Sequence, residues 1–136
     1  MKRTFTVMTL AMAIGYLHLA QAADPAPATK AAPLMQLPLT GLPGKEGVML
    51  EVTIPPAGGS PAHRHDADVF VYVLEGSVIM QVAGGEPKTL GVGQTFYENP
   101  NDVHVRSENA SKTKPARLLV FFVKNAGGAG DTAGNR

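Results

Sequence analysis

The sequence predicts an all-β domain made of two packed antiparallel sheets. Short runs rich in Val, Ile, Phe and Tyr recur along the chain, each bounded by Gly, Pro or Asn. No window places apolar residues at i, i+3, i+4 and i+7 between capping residues, so no amphipathic helix is expected. Seven or eight short strands at this spacing argue for a sandwich or small barrel rather than a βαβ fold.

The chain opens with Lys2-Arg3, then an acid-free and mostly apolar stretch from Thr4 to Leu19, then Ala20-Gln21-Ala22. A basic start, an apolar centre and a small-x-small site form a secretory signal peptide, with cleavage expected after Ala22. Residues 23–34 are rich in Ala and Pro and read as a semi-extended linker. The folded domain is expected over 35–124. Its first strand is Val48–Ile54, stopped by Pro55-Pro56. Val69–Leu74 is the strongest β run, and Glu75-Gly76 turns it tightly into Ser77–Val82. Gly84-Gly85 leads to Thr89-Leu90, Gly91 and Gly93 bracket a turn before Thr95-Phe96-Tyr97, and Asn99 to Asp102 turns into Val103–Ser107. Leu118–Val123 closes the series. The near-continuous apolar runs at 69–74 and 118–123 are expected to be central strands buried on both faces. Residues 125–136, glycine-rich and without a large apolar side chain, are expected to be a disordered tail.

The chain has 136 residues and a formal net charge of +1, and loss of Lys2 and Arg3 with the leader takes the charge to −1. Lys and Arg are scattered, so neither nucleic acid nor, after cleavage, a membrane is an expected partner. There is no cysteine. Thiol chemistry and a disulfide framework are therefore excluded, and the core must suffice alone or with help from a metal or a second copy. A bacterial periplasmic or secreted location follows from the leader. Strand edges in such a sandwich invite a homodimer.

The chemistry centres on His63-Arg64-His65 and the solitary His104. Two histidines at i and i+2 on an extended segment point to the same side, so their imidazoles can close on one divalent ion, with His104 arriving from another strand. Asp68 is a candidate fourth ligand, although adjacent Val69 has the parity of the histidines and Asp68 points the other way unless a bulge re-aims it. Glu98, before Asn99-Pro100, is a candidate acid, base or substitute ligand, and Tyr97 offers a hydroxyl. Arg64 and Arg106 are expected on the opposite face as salt-bridging residues.

Gly58 to His65 followed by Val69 and Gly76 resembles the first motif of the cupin family, a glycine, HxH, a glutamate and a further glycine. Gly93 to Pro100 followed by His104 and Asn109 resembles its second motif. The resemblance covers about residues 45–124 and implies a double-stranded β-helix, the jelly-roll barrel of small single-domain bacterial cupins. It implies metal ligation by His63, His65 and His104. The motif's glutamate would fall at Val69, so no carboxylate carries over. Neutral imidazoles leave a divalent metal its full charge, and they suit iron, manganese, nickel, copper or zinc. Three-histidine iron cupins resemble thiol, diketone and gentisate-type dioxygenases. The expected function is an exported metal-dependent oxygenase, isomerase or lyase acting on a small chelating molecule. The alternatives are a non-catalytic metal- or ligand-binding module and a metal-free barrel, which fold alone does not separate.

Overall fold

The computed structural model describes residues 28–128 apart from 101, together with the backbone of 131–133. The expected leader over 1–22 lies outside the described residues. The described residues form ten strands: β1 Lys30–Pro38, β2 Lys45–Ile54, β3 His63–His65, β4 Ala67–Glu75, β5 Ser77–Val82, β6 Lys88–Gly91, β7 Thr95–Glu98, β8 Val103–Asn109, β9 Ala116–Asn125 and β10 Asp131–Ala133. They form two five-stranded sheets in the orders β1-β2-β9-β4-β7 and β10-β3-β8-β5-β6. Every pairing is antiparallel. From β2 onward the chain passes repeatedly between the sheets, which wraps it into the expected double-stranded β-helix.

Alternation builds the core. Val69, Val71 and Val73 of β4 face inward with Leu118, Val120 and Phe122 of β9, and Val78 and Met80 of β5 face them from the other sheet. Phe70, Tyr72 and Leu74 point outward and are exposed. This corrects the expectation that 69–74 and 118–123 are buried on both faces. Those strands do lie inside their sheet, but among the described residues nothing covers its outer face, where these three side chains stand exposed. A continuous apolar run therefore marks here a strand with one dry face and one aromatic outer face.

Both ends of the domain extend beyond the expected limits. β1 begins at Lys30, inside the segment read as a linker, and pairs with β2 from Lys30↔Thr53 to Pro38↔Glu46. Proline lacks the N–H a central strand needs, but an edge strand tolerates it, and the register shifts between Pro33 and Met35. At the other end, β10 pairs with β3, Asp131 opposite His65. Residues 131–133, within the tail expected to be disordered, thus add an edge to the second sheet.

Two motif residues are explained by local geometry. Gly76 joins β4 to β5 across the sheets at φ +73°, and a Cβ there would lie 2.8 Å from the Pro115 carbonyl oxygen. A side chain would be both strained and obstructed. Asn109 is buried at the end of β8. Its amide donates to the carbonyls of Ile54 (3.1 Å), Pro55 (3.1 Å) and Lys114 (2.8 Å), while its oxygen accepts from the Ser111 N–H (2.8 Å). Asn109 therefore clips the end of β2 to the turn between β8 and β9.

Candidate metal centre

β3 and β8 lie side by side, and His63 is the direct cross-strand partner of His104. His65, two residues along β3, falls on the same face. The ring centroids are 4.9 Å apart for His63 and His65, 5.4 Å for His63 and His104, and 6.0 Å for His65 and His104. Three imidazoles separated by some forty positions therefore meet inside the barrel. Phe96 and Phe122 pack edge-on against His104 and His65. These rings hold the imidazoles and keep the surroundings apolar.

Glu98 completes the cluster from the other sheet. It is the last residue of β7 and stands opposite Val69 in the β4–β7 register. Its Oε2 lies 3.0 Å from His104 Nε2 and 3.3 Å from His65 Nε2. All three side chains are buried. Neither Glu98 Oε2 nor His104 Nε2 has an aligned hydrogen-bond partner among the described residues. His63 Nδ1 lies 2.8 Å from the Pro61 carbonyl oxygen. A carbonyl only accepts, so Nδ1 donates, and in the neutral ring Nε2 carries the lone pair a metal would use.

Among the described residues, no three His, Asp or Glu side chains are already closed into a set that holds an ion. The cluster is convergent rather than closed. Its donor chemistry nevertheless fits a metal. Two atoms each about 2.1 Å from one ion and at right angles are about 3.0 Å apart. The spacing of Glu98 Oε2 from the two imidazole nitrogens matches that arrangement. Two buried polar atoms in contact without hydrogen-bond alignment are costly unless a further group satisfies them.

The site opens on a cavity of about 140 Å³, lined in its polar part by Thr29, Ser60, His63, His65, Glu98 and Ser107 and elsewhere by apolar side chains such as Leu50, Val71, Met80 and Phe122. Among the described residues, no Lys or Arg lines it. Thr29 and Ala31 reach it from the start of the edge strand, and Thr29 Oγ1 donates to the Gly59 carbonyl (3.1 Å). The segment read as a linker thus supplies part of the cavity wall. The sequence offered no signal for this, because Ala, Pro and Thr on an edge strand have the composition of a spacer.

The remaining candidates lie elsewhere. Asp68 and Tyr97 are hydrogen-bonded to each other on the outer face of β4 and β7. The Asp68 carboxylate, as partner, raises the pKa of the Tyr97 hydroxyl, with burial adding to the shift. No bulge turns Asp68 inward, so it does not join the histidines, and Tyr97 lines an outer-face pocket with Phe70 and Phe121 rather than the cavity beside the histidines. Arg106 pairs with Glu108 (2.8 Å) and holds its carboxyl below the usual carboxylate range. It reaches the outer face through a bulge: the register steps from Gln81↔Arg106 to Val82↔His104, leaving Val105 unpaired and exposed. The same bulge lets His104 and Ser107 share the inner face.

The family model described as a cupin domain matches residues 50–122, the stretch holding all three histidines and Glu98. Among solved structures, a cupin-like protein of Thermotoga maritima superposes with a TM-score of 0.62 at 17% identity, covering 79% of this chain and 76% of that one. The DMSP lyase DddQ of Ruegeria pomeroyi gives 0.56 at 20% identity, covering 64% and 42%. A recombinant oxalate oxidase in complex with glycolate gives 0.59 at 20% identity, covering 82% and 57%. The chain therefore spans about two fifths of the length of the lyase. No curated protein matches it significantly.

Proposed function

The chain belongs to the cupin family, and from that premise we propose that it is an exported metal-dependent cupin acting on a small chelating organic acid. One observation carries this reading: His63, His65 and His104 converge in register inside the barrel, beside a buried carboxylate and a cavity. Cupins generally bind transition metals. Imidazole donors suit iron, manganese, nickel, copper or zinc, and the donor set does not choose among them. When bound, such an ion would supply Lewis acidity and a template for a chelating ligand.

The cavity sets the size of that ligand. A volume of 140 Å³ corresponds to roughly four or five water molecules, which suits an acid of a few carbon atoms. With no Lys or Arg among the described residues of the wall, an anionic substrate would find its counter-charge at the metal. Structural neighbours that include a lyase and an oxidase in complex with glycolate favour catalysis over storage. Apolar walls exclude water around the histidines, which strengthens electrostatic effects there. Export rests on the apolar, acid-free stretch that precedes Ala22.

Metal analysis of the protein recovered from its native compartment tests the centre. About one ion per chain is expected in the wild type, falling sharply in His104→Ala, because one of the three imidazoles is gone. Equal metal content in the two proteins would sink the proposal. Oxygen consumption and product formation by iron-loaded protein, across a panel of two- to four-carbon hydroxy- and keto-acids, would then separate the enzyme from a binding module. Turnover of at least one acid is expected; a metal-loaded protein silent on the whole panel would be a binder.

A further inference from the structure

We propose that Glu98 is a metal ligand, which moves the carboxylate of this centre from β4 to the facing position on β7. The inference rests on the metal-binding reading above and adds a fourth donor to its three imidazoles. Val69 is fully buried and shares the inward face of β4, so the place where the family motif carries its glutamate holds an apolar wall residue. Glu98 is the residue paired with Val69 in the β4–β7 register. Directly opposed side chains on neighbouring strands have Cβ atoms about 5 Å apart, a gap that a glutamate side chain spans. A carboxylate launched from either position can therefore reach the same point.

The surroundings of Glu98 favour a ligand over a structural ion-pair partner. Among the described residues, no Lys or Arg lines its cavity. Its Oε2 stands beside two imidazole nitrogens, one of them without an aligned partner, at the separation of neighbouring donors around one ion. A carboxylate oxygen and two imidazole nitrogens meeting in a buried pocket are donor types that one divalent transition-metal ion takes together. The consequence is chemical. One carboxylate reduces a divalent ion's net charge to +1, so the centre would hold a monoanionic chelator less tightly than an all-imidazole site.

The test titrates Co(II) into metal-free protein, reading affinity by competition with a chromophoric chelator and coordination by the visible absorption of the ion. Glu98→Gln, nearly isosteric, should weaken binding about 100-fold, the upper end of what removing even a partner of a ligand costs, and should change the Co(II) spectrum. Val69→Glu added to Glu98→Gln should regain much of the affinity, since it restores the carboxylate from across the ladder. In the metal-free state Glu98→Gln should melt no lower than the wild type, whereas a glutamate serving only as a structural partner would make it melt lower. Glu98→Gln that binds Co(II) as tightly as wild type would overturn the inference, as would a folded double variant that regains nothing. If that happens while His104→Ala loses the ion, the three-histidine centre survives and only the fourth ligand is lost. A wild type that binds no metal overturns both.

Discussion

Two buried glutamates, on the inner side of one sheet, are treated in opposite ways. Glu46 of β2 faces Lys124 of β9 directly across the ladder. The Lys124 ammonium meets Glu46 Oε1 at 2.5 Å as an ion pair, Gln36 donates to Oε2 at 3.0 Å, and the ammonium also donates to the Gly128 carbonyl. The hydrogen bond from Lys124, and then that from Gln36, hold the Glu46 carboxyl below its ordinary value. Among the described residues Glu98 meets no Lys or Arg; it faces His65 and His104. The contrast separates structure from function. A glutamate that the chain itself neutralises ties β2 to β9, whereas one set among imidazoles is, on the proposed reading, a ligand for an ion.

Removing the cation from the first pair should break the comparison most visibly. Lys124→Met would leave Glu46 buried beside a methyl group, and an uncompensated buried charge is among the costliest single changes. Its melting temperature should fall by several degrees in thermal denaturation at neutral pH. Glu46→Gln in the same background should recover much of the loss. Metal-free Glu98→Gln should behave in the opposite sense and lose nothing. Equal destabilisation by Lys124→Met and Glu98→Gln would mean that both carboxylates are structural.

Asn109 sharpens the comparison as a polar group satisfied wholly by backbone. Asn109→Ala would orphan the carbonyls it serves at the end of β2 and the Ser111 N–H, at a cost of about 2–3 kcal/mol. Because the clip lies away from the histidines, its chemical-denaturation midpoint should drop while Co(II) affinity of the folded protein stays unchanged. A joint loss of stability and affinity would show that the clip also positions the site.

Most of the barrel was legible in the residues, and the reasons are local. Val69–Leu74, Ser77–Val82 and Leu118–Val123 declare strands by β-branched composition, and Gly76 marks the crossing between sheets by a backbone angle other residues resist. The histidine trio was legible because i and i+2 fix a common face and because His104 sits in the second motif. What stayed hidden depended on register. Nothing in the sequence says that Glu98 faces Val69, or that a bulge at Val105 turns Arg106 outward; both follow from which strand lies beside which. β1 was hidden for a different reason: an edge strand of Ala, Pro, Met and Leu is held by backbone pairing to β2, and its side chains are exposed along its whole length. Composition reports burial, and β1 has little.

The smallest effect is expected in acid, and its sign follows from Glu46. Its carboxyl is depressed below 4.5 in the folded protein by the Lys124 hydrogen bond. A group whose folded pKa is lowered binds protons more readily when unfolded, so its contribution is present above that ordinary value and is lost as the pH falls through the folded one. Glu51 adds a shift of the same sign through its hydrogen bonds from Arg117, but on the half-exposed outer face, where solvent screens it. Melting temperatures between pH 6 and pH 3 should therefore decline in the wild type and decline less steeply in Glu46→Gln, with Glu51→Gln nearly parallel to wild type. The opposite ranking, with Glu51→Gln the flatter of the two, would mean that the exposed pair on the outer face, and not the buried one, holds β2 to β9.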